Sequence, residues 1–184
     1  MNSLFKYLYT KRSQYYARLV SPYINKGEKI LDIGAGTGFI SEILSKKADI
    51  TLLDVKDYNQ TKLPLKIYDG RKIPFKDKSF DTALILTVFH YIPNQVEFLK
   101  EAKRACNKIV IVDDVYKTSF GKLIVNLNDA IVSNTVGIFT KFNFLKDEEF
   151  KQIFKKAGLK LIATKDIRSF LRVTRQKIYV LKKF

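Results

Sequence analysis

The chain has 184 residues, 46% of them hydrophobic, which is enough for one cored domain and short for two. It carries 34 Lys+Arg against 18 Asp+Glu, a formal +16, with a single Cys and a single His. That inventory excludes a disulfide framework and a Cys/His zinc cluster, and the longest apolar runs, such as 109–112, are too short to span a bilayer. Lys6, Lys11 and Arg12 interrupt the first segment and speak against a secretory signal, so a cytoplasmic single-domain protein is the expectation.

The positive charge has two readings. It sets up a field that attracts nucleic acid, anionic lipid or acidic small molecules. Yet 27 of the 34 cations are Lys, scattered from Lys6 to Lys183, and no Arg-rich block occurs. Specific phosphate recognition favours the planar fork of Arg, so a solvated surface is the simpler reading. RNA binding and peripheral membrane contact stay open.

Residues 3–20 (SLFKYLYTKRSQYYARLV) have helical spacing, with Leu4, Leu8, Tyr15 and Leu19 along one side; Pro22 closes the segment and Gly27 marks a turn. Residues 29–33 (KILDI) read as a buried strand, and 38–47 as a helix with Ile40, Ile43 and Leu44 on one face. Short strands follow at 50–54 and 65–68, and 56–64 between them is too short for a full crossover helix. A loop at 69–80 leads into a strand at 81–86. Pro93 and Asn94 then open a helix carrying Phe98, Leu99, Ala102 and Ala105.

Residues 108–112 (KIVIV) are the most strand-like run. The spacing predicts a helix over 119–133, although Gly121 and Asn126 sit inside it. A second helix covers 147–157, with Asp147, Glu148 and Glu149 suiting its start and Lys155, Lys156 and Gly158 its end. The last two strands, near 160–167 and 176–182, have no helix between them, so at least one runs antiparallel. Strands alternating with helices in this way predict an α/β fold with a mostly parallel sheet.

The strongest local signal is the segment 30–38 (ILDIGAGTG), a strand leading through glycines into a helix, as a nucleotide-binding turn requires. Gly34, Gly36 and Gly38 give GxGxG, and Phe39 breaks the dinucleotide pattern GxGxxG. Asp32, two positions before the first glycine, suits a ligand bearing an ammonium or sulfonium cation better than a pyrophosphate. Asp54 ends the second strand, where a carboxylate can accept from ribose hydroxyls. Asp69 follows the third, placed to accept from an exocyclic amine. Each carboxylate alone also reads as a turn cap; three at consecutive strand ends of so basic a chain point to a ligand.

With ILDIGAGTGFIS (30–41), LLDV (52–55), YDGRKIPFKDKSFDTALILTVFHYIP (68–93), EAKRA (101–105) and FKQIFKKAGL (150–159), the sequence resembles class I S-adenosylmethionine-dependent methyltransferases of the type 11 group. The resemblance runs over about residues 28–160 in the expected order. It implies a Rossmann-like fold: a mostly parallel seven-stranded sheet with an antiparallel last strand, helices on both faces, here trimmed between strands 2 and 3. It implies S-adenosyl-L-methionine as cofactor. Gly34, Ala35, Gly36 and Gly38 would wrap its methionine portion, with Asp32 orienting it. Asp54 would hold the ribose, Val55 pack on the adenine, Asp69 take the adenine amino group and the Gly70 backbone a ring nitrogen. Thr87 would line the methionine side.

An activated cofactor leaves the protein to supply proximity, alignment and, where needed, a base. His90 follows the fourth strand, where the family often carries a histidine, and is the candidate for proton transfer or substrate contact; a structural hydrogen bond is its other reading. Cys106 reads as a buried free thiol, against a covalent cytosine mechanism. No Asn/Asp-Pro-Pro-Tyr/Phe tetrapeptide follows the fourth strand, which speaks against amino methylation of adenine in nucleic acid. Residues 113–146 lie beyond the fifth strand, where Asp113, Asp114, Tyr116, Asp129, Asn134, Phe139, Phe142 and Phe144 are candidates for a lid or pocket, with ordinary core as the other reading of the aromatics; the 115–146 segment would cover the acceptor side. Tyr15, Tyr16 and Arg18 could close the cofactor site from the 1–26 cap; a plain packing helix is the equal alternative. The leading reading is methyl transfer to a small-molecule or lipid-like acceptor. The alternatives are an RNA methyltransferase and a cofactor-binding but inactive interaction protein.

Overall fold

The computed structural model describes residues 3–136 and 143–183. Its strands are β1 (Lys29–Ile33), β2 (Asp49–Asp54), β3 (Leu65–Ile67), β4 (Phe80–Leu86), β5 (Cys106–Asp114), β6 (Leu159–Arg168) and β7 (Arg175–Lys183). They form one seven-stranded sheet in the order β3-β2-β1-β4-β5-β7-β6. β1 to β5 pair in parallel, and β7 runs antiparallel to both β5 and β6. The hairpin that the missing crossover helix predicted at the end of the chain is therefore present, closed by a turn in which Ser169 N–H donates to the Thr174 carbonyl at 3.0 Å.

The two-residue period of the strands divides the core between the two faces of the sheet. On one face Leu31, Ala83, Ile85, Ile109, Ile111 and Tyr179 pack under α3 (Gln95–Ala105) and α5 (Asp147–Lys156). On the other, Ile30, Leu84, Val110, Val112 and Ile178 pack under α1 (Ser3–Val20) and α2 (Phe39–Leu44). The remaining helix, α4 (Ser119–Val136), follows β5 and runs past the predicted 119–133. Gly121 and Asn126 do not break it.

Two further boundaries, those of α2 and β5, differ clearly from the sequence reading. α2 is shorter than 38–47 because Gly38, at φ +76°, sits outside the helix as its N-cap, and the chain turns after Leu44. β5 is longer than 108–112 because β7 pairs with it from Lys108 to Asp114, which satisfies backbone beyond the apolar run. The 56–64 connection holds no helix, and Asn59 organises it. Its Oδ1 accepts from the Thr61 N–H and hydroxyl, and its Nδ2 donates to the Leu63 carbonyl.

Candidate active site

β1 ends at Ile33, and the chain enters the glycine loop with Gly34, Gly36 and Gly38 at φ +75°, +54° and +76°. All three lie in the left-handed region that side chains disfavour. Their surroundings differ. A Cβ on Gly34 would stand 2.6 Å from a Val88 methyl, and one on Gly38 2.8 Å from Asn59 Oδ1, whereas nothing lies within 4 Å of a Cβ on Gly36. The middle glycine thus faces open space while the outer two are pressed against protein. Gly36 N–H donates to Asp54 Oδ2 at 2.8 Å, and Val55 N–H donates to Asp54 Oδ1 at 2.7 Å. The carboxylate ending β2 thereby latches the loop that follows β1. Ala35 packs on the core between loop and helices.

Val55 stands beside this latch and is 52% exposed. Gly70 lies against it, since a Cβ there would come within 3.3 Å of Val55 Cγ1. Asp69 is exposed, and its Oδ1 accepts from the N–H groups of Arg71 and Lys72, which hold its carboxyl below the usual carboxylate range. It caps a turn, one of its two sequence readings, and that turn presents Gly70 to Val55. Arg104 on α3 ties the following loop down, donating to the carbonyls of Ile73 and Phe75.

Asp32 is buried at 3% exposure, facing α2, and accepts from Ser41 Oγ at 2.6 Å. Burial pushes its carboxyl from 3.8 to about 6; the Ser41 hydroxyl opposes that push and the charge of Asp54 adds to it. A folded-state pKa above the unfolded one means that ionisation costs stability, which is lost as pH rises from the unfolded value through about 6. Asp32→Asn is therefore expected to stabilise the ligand-free protein by about 1–3 kcal/mol at neutral pH, with the gain vanishing towards about pH 4. Urea unfolding at the two pH values checks this; an equal effect at both would mean that Asp32 is not ionised at a cost.

At the carboxyl end of β4, Thr87 has φ +55°, and its Oγ1 accepts from Arg12 at 2.8 Å. Arg12 lies over the Tyr16 ring, 4.9 Å from its centroid. Of the three α1 residues weighed between site closure and plain packing, Tyr16 is buried with its hydroxyl on Gln176, Tyr15 donates to the Arg168 carbonyl, and Arg18 is exposed. Arg12, on the same helix, is the side chain hydrogen-bonded to Thr87 just past β4. The available signal was its i, i+4 relation to Tyr16.

His90 follows in the short 3-10 turn Phe89–Tyr91 and is only 2% exposed. Its Nδ1 lies 2.6 Å from Asp113 Oδ1, its backbone N–H donates to Asp113 Oδ2 at 2.9 Å, and its ring stacks on Phe144. Asp114 is also buried; burial and the neighbouring Asp113 charge push its carboxyl up to about 6, and Gln176 donates to its Oδ2. These residues of the predicted lid belong to the end of β5 and the core. Phe139 and Phe142 lie outside the described residues, as do the side chains of Asp129 and Asn134. Cys106 is buried, with its thiol pushed up to about 12 by burial, as an inert thiol should be.

Beyond β5 a cavity of about 410 Å³ opens between α4 and the β6–β7 hairpin. Val115, Tyr116, Ile124, Val125 and Val173 line it with Lys117, Arg168 and Arg175, and among the described residues no carboxylate does. Glycine loop, Asp54, Thr87, His90 and this cavity all stand at the carboxyl ends of the parallel strands, where open α/β sheets bind ligands.

Residues 31–109 match the family described as "Methyltransferase domain". Over 145 residues the chain is 30% identical to an uncharacterized protein of Methanocaldococcus jannaschii, covering 76% of this chain and 68% of that one. It is 22% identical over 157 residues to the phosphatidylethanolamine N-methyltransferase of Cereibacter sphaeroides, covering 76% and 77%. A SAM-dependent methyltransferase structure from Methanosarcina mazei superposes with a TM-score of 0.70 at 20% identity, over 90% of this chain and 97% of that one. The chain belongs to the class I methyltransferases of the type 11 group.

Proposed function

We infer that the protein uses S-adenosyl-L-methionine to methylate a small or lipid-like acceptor. The observation that carries this is the Gly36–Asp54 latch beside open space: a loop of bare backbone, free of side chains on its ligand side, next to a carboxylate. That donor set fits a cofactor bearing a positive charge and ribose hydroxyls. When bound, the cofactor supplies a methyl group on a sulfonium sulfur, already activated for in-line displacement by a nucleophilic acceptor.

The chain's own residues would bind and orient. Gly34, Ala35, Gly36 and Gly38 would receive the methionine portion, with buried Asp32 adding negative potential beneath them. Asp54 would take the ribose through the lone pairs its backbone donors leave, with Val55 and Gly70 flanking the adenine and the free Asp69 Oδ2 meeting its amino group. Thr87, held by Arg12, would bound the methyl end. The acceptor would enter from the cavity beyond β5, whose aliphatic walls and three cations suit an amphiphile carrying a negative charge. The likeness to a phospholipid-methylating enzyme supports the same class of acceptor. Residues 115–136, including α4, would cover that side; 137–142 of the expected 115–146 cover lie outside the described residues.

Thermal stabilisation by S-adenosylmethionine, with NAD as control, tests the reading. Asp54→Ala is expected to weaken cofactor binding by about 1.5–3 kcal/mol, because a charged acceptor is lost from the ribose and the loop is unlatched. Calorimetric titration of the variant measures it. Stabilisation of the wild type by NAD instead would replace methyl transfer with a dehydrogenase reading. Stabilisation by S-adenosylmethionine without turnover on any acceptor would leave an inactive binding protein.

A further inference from the structure

Among the described residues, five of the ten exposed large apolar side chains lie along one rim. Phe120, Leu123 and Leu127 stand at i, i+3 and i+7 of α4, on a single stripe of the helix, and Leu171 and Val173 at the tip of the β6–β7 hairpin; each is more than half exposed. Helix and hairpin are the two walls of the 410 Å³ cavity. Cations accompany them: Lys117 before the helix, Lys122 in its first turn, and Arg168, Arg172 and Arg175 on the hairpin. Three of the chain's seven arginines fall in this one hairpin, so the basic residues are less scattered in space than they are in number.

We propose that this rim is a docking surface for anionic lipid bilayers, with the cavity opening onto the headgroups. Apolar residues backed by Lys and Arg are the composition of interfacial membrane contacts, in which hydrocarbon enters the headgroup boundary and the cations meet lipid phosphates. Four of the five apolar residues are aliphatic. That separates the rim from an RNA surface, which relies on aromatic stacking and phosphate contacts and has no use for exposed leucine. The contact is peripheral, since no helix among the described residues is long and apolar enough to cross a membrane. The proposal rests on the rim alone and does not require the cofactor.

Co-sedimentation with phosphatidylcholine vesicles containing phosphatidylglycerol, against phosphatidylcholine vesicles alone, tests it. The wild type is expected to bind the anionic vesicles and to bind the neutral ones weakly. Leu123→Asp with Leu171→Asp is expected to weaken binding about tenfold or more, and Arg172→Glu about fivefold or more. All three sites are exposed, so the melting temperature serves as a check that the variants remain folded. Failure of the wild type to sediment with anionic vesicles overturns the proposal. So does unchanged binding by the double Leu variant, or displacement from vesicles by an RNA oligonucleotide that binds that variant as well as it binds wild type. Vesicle binding without thermal stabilisation by S-adenosylmethionine would leave the docking surface standing and remove the cofactor reading; the reverse result would do the opposite.

Discussion

Gly36→Leu is expected to fold and to lose S-adenosylmethionine binding, while Gly34→Ala, a smaller change two residues away, is expected to destabilise the fold more strongly than Gly36→Leu does. Both positions have left-handed φ, so each substitution carries a backbone cost of about 1–2 kcal/mol. At Gly36 little else is added to the ligand-free protein, because the new side chain enters open space. That space is where the cofactor would lie, so a stabilisation of about 3 kcal/mol, the mass-action gain near a hundredfold saturation, should disappear. At Gly34 the added carbon stands 2.6 and 2.9 Å from the two methyls of Val88, a side chain too stiff at χ1 to swing aside. Overpacking then adds about 1–3 kcal/mol to the backbone strain. Thermal denaturation with and without the cofactor separates the two cases. A Gly36→Leu protein still stabilised as strongly as wild type would show that the ligand sits away from this loop.

Removing His90 is the second large effect. The ring is buried between Phe144 and Tyr91, with Nδ1 on Asp113. His90→Ala opens a cavity and takes one partner from a buried carboxylate, a change that typically costs about 3–5 kcal/mol. Asp113 keeps two backbone donors, the N–H groups of residues 90 and 114, which places the expected loss near the lower end. Asp113→Ala strands all the donors at once and should cost more. His90→Asn replaces the ring with a shorter amide donor and should recover part of the stability. Two roles then part company in a turnover assay. If His90 positions the end of β4, the Asn variant recovers activity along with stability. If the imidazole moves a proton, activity stays low in a folded Asn variant, and the acid limb of the pH–rate profile changes. Unaltered stability and turnover in His90→Ala would exclude both.

The elements of this fold were legible wherever a local rule was strong. KILDI, DTALIL and KIVIV announce buried strands, and the acidic start and basic end of 147–157 announce a helix. The glycine loop was legible for the same reason, since a left-handed turn between strand and helix needs glycine whatever surrounds it. The antiparallel hairpin followed from arithmetic alone, because the final connection is too short for a crossover. Boundaries were less legible: β5 reaches Asp113 and Asp114 only because β7, arriving from the other end of the chain, pairs with them.

The side chains around the site divide along the same line. That Asp54 ends a strand is a property of LLDV, but that it accepts from Gly36 depends on β1 and β2 lying side by side. That Asp69 can cap a turn is a local reading, but that the cap uses Oδ1 on the N–H groups of Arg71 and Lys72 depends on the folded path of the loop. Arg12 on Thr87 joins residues 75 apart, and His90 on Asp113 joins residues 23 apart across neighbouring strands. Such pairs obey no local period, because they depend on which strand end faces which helix. The α/β class, the glycine loop and the order of its carboxylates follow from local pattern, since backbone sterics and short-range periodicity act within a few residues. The tertiary structure alone decided which Asp is buried, which helix residue reaches the site and where the apolar rim gathers, because burial and desolvation are properties of neighbours brought together only by folding.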